Sequence, residues 1–419
     1  MRSIKVAGLT AVSHLSKLLV ALLIIKLIAM TAGPAGLGFL GNYMSLLSIA
    51  SALAGGGVLT GVIKYLSEFS MDPQRQKYFV GNASIYSLGF SIVVILVGSL
   101  FLKPITHYIF GSLEYTTYII FFLFAQFIIA INNLAYGVLN GLQQNSRYAV
   151  IMVFGNLIAI VISYVLILRF GTAGAVLAVT VPLLAPLLPM LFFSFGRRGF
   201  LQFDSTLLLQ DTVRLSRFSL MLIVSAICFP VVEIYIRSSI VATVGLEMSG
   251  IWQALIRLSS AYLGFYSVFL SFYLVPKISA TEDKRDILKA VCTIMFALSG
   301  LFACMLAVAL IMKEYIIKLV LSESFLAVGE YLALQMLGDY FRIMGWVIGF
   351  VVVAKASTKL YICSELFQGL VFMFFASLLL GYFKSLEGVV MGYTLTCFLY
   401  FILSVAGFLY FIKRPALTV

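Results

Sequence analysis

Long apolar segments recur along almost the whole chain of 419 residues, and no other feature limits its fold so strongly. Charged residues make up only 11% of the sequence, whereas a soluble domain carries roughly 25%. A helix needs about 20 apolar residues to cross the hydrocarbon core of a bilayer, and the segments here reach that length. The sequence therefore predicts an all-α, multi-pass membrane protein without a large soluble domain.

Hydropathy divides the chain into about twelve predicted membrane-spanning helices joined by short loops. The first helix follows Arg2 and Lys5, as a signal peptide would, but it is too long for one and carries Lys17 and Lys26, so we expect it to be retained. The predicted spans are 8–30, 39–67, 79–102, 116–140, 148–170, 173–194, 216–240, 250–275, 287–311, 331–354, 360–383 and 389–412.

The formal net charge of +12 is unevenly distributed about these spans. With the N-terminus in the cytoplasm, 17 basic residues fall on inner segments, 6 at outer ends, Arg237 among them, and 5 within spans. Basic residues that interrupt apolar segments follow the positive-inside rule and are not typical of a nucleic-acid-binding face. Both termini are therefore expected on the cytoplasmic side.

Short motifs recur about half a chain apart and predict an internal repeat. The pairs are Gly36 and Gly41 with Gly245 and Gly250, residues 172–176 with 386–390, and Tyr148 with Tyr361, at shifts of 209, 214 and 213 residues. We expect two six-helix lobes, residues 1–195 and 218–419, joined by a cytoplasmic linker over 196–217. Parallel repeats of this kind surround a central substrate path and alternate its access.

Ionisable residues inside the predicted spans indicate an interior path, because each costs a few kcal/mol at membrane depth. Lys17 lies near the middle of the first span, on one face with His14. Glu233 and Arg257 lie twelve residues before and after Gly245, so an antiparallel hairpin would place them at the same depth. That pair could hold two helices together or contact substrate, and the sequence leaves both readings open.

A second set of polar residues follows one face of the span over 331–354. Asp339 and Arg342 are spaced i, i+3 and could pair within the helix. No catalytic constellation is present, since the two histidines and five cysteines lack metal-ligand spacing and no nucleotide-binding loop occurs. The sequence thus indicates a transporter that needs no metal or cofactor, and not an enzyme.

Several longer motifs resemble the Wzx-type polysaccharide flippases of the multidrug/oligosaccharidyl-lipid/polysaccharide exporter superfamily, including those of O antigen and enterobacterial common antigen. The motifs are GPAGLG at Gly33–Gly38, GIWQ at Gly250–Gln253, LVPKIS at Leu274–Ser279, KRDI at Lys284–Ile287 and GDYFRIMGWVIGFVVVAKAS at Gly338–Ser357. The resemblance runs nearly from end to end, and the motifs are specific only when taken together.

The resemblance implies transport of an undecaprenyl-diphosphate-linked oligosaccharide from the cytoplasmic to the periplasmic leaflet of a bacterial inner membrane. A diphosphate in a low-dielectric path needs cations, for which Lys17, Arg257 and Arg342 are expected. Amides and an aromatic ring would hold the sugar, with Asn42, Gln126, Asn133, Asn140, Gln253 and Trp346 as candidates. His14, Glu233 and Asp339 are candidates for coupling to a proton or sodium gradient, although uncoupled flipping stays open.

Partners and rival functions follow from the same features. The substrate would pass to a glycan polymerase that works with a chain-length regulator, and a path within one chain needs no second subunit, so a monomer is expected. A multidrug antiporter should carry acids in the cavity of its first lobe, where this chain offers Lys17 instead, so the charge favours an anionic substrate. A non-transporting membrane scaffold for glycan assembly would tolerate replacement of the central charges.

Overall fold

The computed structural model describes residues 2–194, 209–281, 283–354 and 358–413, and these ranges contain only helices and turns. The helices are α1 (Arg2–Leu53), α2 (Val58–Glu68), α3 (Pro73–Leu100), α4 (Leu102–Phe110), α5 (Thr116–Gly141), α6 (Asn145–Ala178), α7 (Val181–Leu184), α8 (Leu187–Ser194), α9 (Leu209–Val244), α10 (Leu246–Phe269), α11 (Val275–Ser279), α12 (Lys284–Ile311), α13 (Lys313–Val320), α14 (Val328–Ala354), α15 (Thr358–Phe383) and α16 (Leu386–Lys413). A π-helical turn, Leu270–Leu274, joins α10 to α11.

Eight helical segments of the described chain are long and apolar enough to cross a membrane. The first, Leu15–Glu68, covers 54 residues, more than twice the ~20 that one crossing requires. It contains parts of two predicted spans, and a turn over residues 54–57 interrupts its end. The prediction of an all-α, multi-pass membrane protein is confirmed.

Two long helices contain a glycine whose backbone leaves the helical region. In α1 this residue is Gly33, with φ 61° and ψ −166°, and in α6 it is Gly171, with φ 54° and ψ −127°. The loop expected between the first two spans is therefore a break at one residue, because residues 34–53 are again helical. Two further breaks follow in the same region: Pro182 lies at the start of α7, and the chain breaks again before α8.

The two halves of the chain repeat one series of elements. Helices α3 and α12 each have 28 residues, and each begins after an aspartate that accepts a hydrogen bond from a backbone amide of the first turn. The N-caps are Asp72, bonded to the Arg75 amide at 2.9 Å, and Asp283, bonded to the Arg285 amide at 2.8 Å. A short helix, α4 or α13, and a single 3-10 turn follow in both halves. The chain therefore contains two copies of one helical motif.

The bends that open the two copies correspond at a shift of 212 residues. Gly33 and Gly245 both have positive φ, 61° and 96°, with ψ of −166° and 170°, a conformation that glycine adopts without a steric penalty. Gly36 lies inside α1, so its predicted pairing with Gly245, at a shift of 209, was three residues out of register.

The same shift pairs two glycines at a close helix contact. A Cβ at Gly38 would press on the Leu246 carbonyl, and a Cβ at Gly250 would overlap the Pro34 carbonyl. Because Pro34 and Leu246 are also 212 residues apart, each glycine meets the carbonyl of the residue that opens the other helical segment. Small residues that let helix backbones approach in this way are typical of membrane helix pairs.

The described chain forms two compact units. The first unit is Met1–Ala32 with Asn42–Pro230, and the second unit is Gly33–Gly41 with Val231–Val419. The division thus falls within α9, and nine residues of α1 group with the later half. The predicted linker over 196–217 lies largely outside the described residues, while its last part, from residue 209, is the beginning of α9.

Candidate functional site

Charged side chains cluster at the hairpin that α9 and α10 form in the second unit. Arg237 and Gln253 lie eight residues before and after the bend at Gly245, and the Arg237 Nη2 donates to Gln253 Oε1 at 2.6 Å. The guanidinium also lies 5.2 Å from the centre of the Trp252 ring, within the range of a cation–π contact. Arg237 is 0% exposed, so this residue, counted above with the outer ends, lies buried in the packed hairpin.

Two further charges lie one helical turn beyond this contact. Glu233 interacts electrostatically with both Arg237 and Arg257, as the hairpin register predicted for the second of these arginines. Arg257 is half-buried, its Nε is buried, and within the described chain this guanidinium has no hydrogen-bond partner. The cluster therefore combines two cations with one anion, and one cation keeps its hydrogen-bond donors unused.

Asp339 lies at the centre of a second buried cluster, where α14 meets α10 and α16. Its carboxylate is 0% exposed and accepts hydrogen bonds on both oxygens: from Ser259 Oγ at 2.6 Å and the Tyr262 hydroxyl on Oδ2, and from the Tyr393 hydroxyl at 2.5 Å on Oδ1. Three hydroxyl donors satisfy an ionised carboxylate without an adjacent cation. Sequence spacing could not reveal this arrangement, because the donors come from two other helices.

Arg342 joins the Asp339 cluster through a tyrosine. Its Nη1 donates to the Tyr393 hydroxyl at 3.3 Å, and that hydroxyl donates in turn to Asp339. The guanidinium also lies 5.1 Å from the centre of the Trp346 ring. The expected i, i+3 relation between Asp339 and Arg342 is thus bridged by Tyr393, and Arg342 is more fully engaged than Arg257.

Lys17 is the charged candidate of the first unit. Its side chain is exposed, and it forms no hydrogen bond or ion pair with any residue that the structure describes. Ser13, one turn earlier, is buried, and Ser16 accepts a hydrogen bond from the Asn156 amide at 2.8 Å. The side chain of His14 lies outside the described residues.

The amide candidates for sugar contact differ in their surroundings. Asn133 donates to the carbonyl oxygens of Ser51 and Ala54, at 3.0 and 3.3 Å, and so caps the end of α1. Gln126 is 0% exposed, and both ends of its amide are without a hydrogen-bond partner in the described chain. Asn42 and Asn140 are half-buried.

One ion pair of the first unit escaped sequence analysis. Asp211, at the beginning of α9, is fully buried, and its Oδ1 accepts from Arg75 Nη2 at 2.6 Å. Its other oxygen accepts from Asn82 Nδ2 at 3.1 Å. The two partners come from α3, more than a hundred residues earlier, so no local pattern connects them. Among the described residues, no group of three or more His, Cys, Asp or Glu side chains could hold a metal ion.

Similar proteins are known at the level of sequence and of fold, although no protein-family model matches the chain. The lipid III flippase of Escherichia coli (strain K12) is 32% identical over 409 residues, which cover 97% of this chain and 98% of that protein. The lipid III flippase of Shigella flexneri gives the same values.

Solved structures of MATE transporters share the fold. An inward-facing MATE family transporter of the MOP superfamily superposes with a TM-score of 0.79 at 15% identity and 93% coverage of both chains. An outward-facing MATE family transporter gives a TM-score of 0.70 at 15% identity and covers 98% of this chain and 95% of its own. At such low identity these structures establish the architecture but carry no information on the substrate.

Proposed function

This chain belongs to the lipid III flippase family, and we propose that it moves an undecaprenyl-diphosphate-linked oligosaccharide from the cytoplasmic to the periplasmic leaflet of a bacterial inner membrane. The flippase relatives, aligned over 97% of the chain, support a substrate of this class. The sugar unit would be that of enterobacterial common antigen or of an O antigen. A charged diphosphate head cannot cross the hydrocarbon core without cations that replace its hydration.

The unused donors of Arg257 carry this proposal. A half-buried guanidinium without a hydrogen-bond partner in the described chain is costly to maintain, and a diphosphate would satisfy its planar set of donors. Lys17 offers a second cation, because the residue is exposed and unbonded among the described residues. We propose that each contacts the diphosphate during the transport cycle.

Arg342 and the polar amides would serve the same substrate in other ways. Arg342 is held by Tyr393 and Trp346, so it would contribute a fixed positive field near the diphosphate. Gln126, whose amide is buried without a partner in the described chain, is the strongest of the sugar candidates. Asn133 and Gln253 already use part of their amides in contacts within the protein.

Asp339 is the group that we propose for coupling transport to a proton or sodium gradient. Its three hydroxyl neighbours can donate to a carboxylate and can also accept from a protonated acid after rotation. A network of this kind can hydrogen-bond the acid in either protonation state. His14 and Glu233 are the alternatives.

The wider architecture of the proposal follows the predicted topology. We propose about twelve membrane crossings, with six in each half, both termini in the cytoplasm and alternating access as the transport mode. The protein would act as a monomer and deliver its substrate to a glycan polymerase that works with a chain-length regulator. The repeated series of elements in the two halves supports this arrangement.

Complementation of a bacterium that lacks its lipid III flippase tests the proposal. Intact protein, Lys17→Ala and Arg257→Ala are compared at matched membrane levels, with surface glycan as the measurement. We expect restoration by the intact protein and at least a tenfold loss in each variant. Restoration by all three proteins would reject the two cations as substrate ligands.

Purified protein separates the rival functions. We expect it to bind undecaprenyl diphosphate in preference to undecaprenol and to ignore ethidium-like cations. Binding of the cations alone would favour a multidrug antiporter, with which the protein shares its fold. Normal glycan export by variants that lack the central charges, together with no transport by the purified protein, would favour a scaffold.

A further inference from the structure

Arg237 is fully buried and directly bonded, whereas Arg257 and Arg342 are only half-buried. The Arg237 Nη2 donates to Gln253 at 2.6 Å, and its guanidinium faces the Trp252 ring at 5.2 Å. A Cβ at Gly41 would overlap the Arg237 side chain, so the backbone of α1 closes that side. A bulky, anionic substrate could not reach this guanidinium without separating the helices around it.

The electrostatic position of Arg237 indicates what it does instead. Glu233, one helical turn earlier, is attracted by Arg237 and by Arg257, while the two arginines repel each other. Without Arg237, the one positive charge left in this cluster would be Arg257, and Glu233 would neutralise it. With Arg237 present, the three charges sum to one positive charge, and Arg257 is the member with free donors.

We infer that Arg237 is a positioning residue that neutralises Glu233 and thereby leaves Arg257 available for the diphosphate of the substrate. The inference rests on the proposed function. Arg237 does not touch the substrate; it acts through the charge of Glu233 and through Gln253, which holds its guanidinium in place. Arg237 is therefore required only in the presence of Glu233.

A purely structural role does not explain why a charge occupies this position. The matching residue of the first copy, 212 positions earlier, is Ile25, which is 5% exposed in the same kind of bent helix. The residue that matches Glu233 is Ala21. Helix packing at this bend is thus achieved without either charge, and the pair occurs only in the copy that also carries Arg257.

The test removes the two charges separately and together. Arg237→Gln, Glu233→Gln and the double variant are compared with intact protein for binding of undecaprenyl diphosphate, with undecaprenol as the uncharged probe. We expect Arg237→Gln to weaken diphosphate binding at least tenfold, and we expect the double variant to recover to within threefold of the intact protein. Glu233→Gln alone should bind within threefold of the intact protein or more tightly.

Controls separate a loss of charge balance from a loss of folding. Arg285→Gln removes an exposed arginine of α12 and should leave binding unchanged, and Arg237→Lys keeps the charge and should retain most of it. If Arg237→Gln does not accumulate in the membrane, Glu233→Gln and Arg237→Lys still test the inference.

Two results overturn the inference. A double variant that binds as weakly as Arg237→Gln would show that Arg237 does not act through Glu233, and a tenfold loss in Glu233→Gln would show that the acid has a role of its own. Intact protein that fails to prefer the diphosphate over undecaprenol would instead refute the proposed function.

Discussion

The bent helix that opens the first copy and the hairpin that opens the second share a backbone but not a chemistry. Both turn at a glycine with positive φ, Gly33 or Gly245, and both bring a second glycine against a backbone carbonyl. The positions of Glu233, Arg237 and Arg257 are occupied in the first copy by uncharged residues, which are Ala21, Ile25 and Ser45. Conversely, Lys17 of the first copy corresponds to Phe229.

This difference separates the requirements of the fold from those of function. One copy forms its bend without the charges and the other forms it with them. Formation of the bend therefore does not explain why the charges are present. Ionisable groups at membrane depth are costly, and a cost that the fold does not require indicates a role in transport. The charges of the second copy and Lys17 of the first are therefore better candidates for function than the glycines, which both copies share.

Replacement of a charged residue by the residue at the matching position of the other copy should have the largest effect on transport. We expect Arg257→Ser to reduce glycan export at least tenfold, because the cation with unused donors is lost. The unfolding temperature in detergent should change little, since Ser45 occupies the matching position. Lys17→Phe is the reciprocal exchange and should act likewise. If either variant lost stability as well as transport, the charge would be needed for the fold, and the distinction between fold and function would fail.

The shared glycines should show the opposite pattern. Gly250→Ala would force a Cβ onto the Pro34 carbonyl, which is backbone and cannot rotate away, so we expect a loss of about 3 kcal/mol in the free energy of unfolding. Gly38→Ala should destabilise in the same direction. Gly264→Ala, where a Cβ would meet open space, is the control, and unequal effects of the first two would weaken the assignment of the repeat.

The ion pair between Arg75 and Asp211 in the first unit contrasts with Arg257, because both of its members are bonded to each other. Asp211→Asn would leave the Arg75 guanidinium without its carboxylate, and we expect a loss of about 2 kcal/mol in unfolding free energy. Transport per folded molecule should fall less than twofold. A tenfold loss of transport at normal stability would contradict a structural role.

The exposed ion pair at the end of α13 should contribute least to stability. Lys318 and Glu323 are separated by 3.0 Å but are 45% and 80% exposed, so solvent screens their attraction. Lys318→Gln should change the free energy of unfolding by less than about 0.5 kcal/mol. A larger change, measured by thermal unfolding in detergent, would mean that this pair contributes more than its exposure indicates.

Much of the fold could be predicted because membrane helices are recognisable in sequence as long apolar segments. Apolar segments of sufficient length located most helices, and the recurring motifs lie at or close to the bends at Gly33, Gly171 and Gly245. The register of the repeat was three residues out at the first bend, since Gly33, Gly36 and Gly38 all lie between the first two predicted spans and only the backbone distinguishes them.

The candidate site was predicted less completely than the fold. Sequence spacing placed Glu233 and Arg257 at one depth, because an antiparallel hairpin has a fixed register. It missed Arg237, although this residue lies one turn from Glu233, because it was close enough to a predicted helix end to be counted as an outer residue. The hydroxyls of Tyr262 and Tyr393 gave no signal, since tyrosine is common in apolar spans and its hydrogen bonds depend on which helices meet.

The sequence by itself determined that this chain is a bundle of membrane helices in two related halves, because hydrophobic length and repeated bends are properties of local segments. Only the tertiary structure decided which buried charges are satisfied and which retain free donors. For Asp339 that distinction depends on a partner more than fifty residues away, Tyr393. A hydrogen bond requires its donor and acceptor atoms to lie about 3 Å apart, and a linear pattern of residue types does not contain that information.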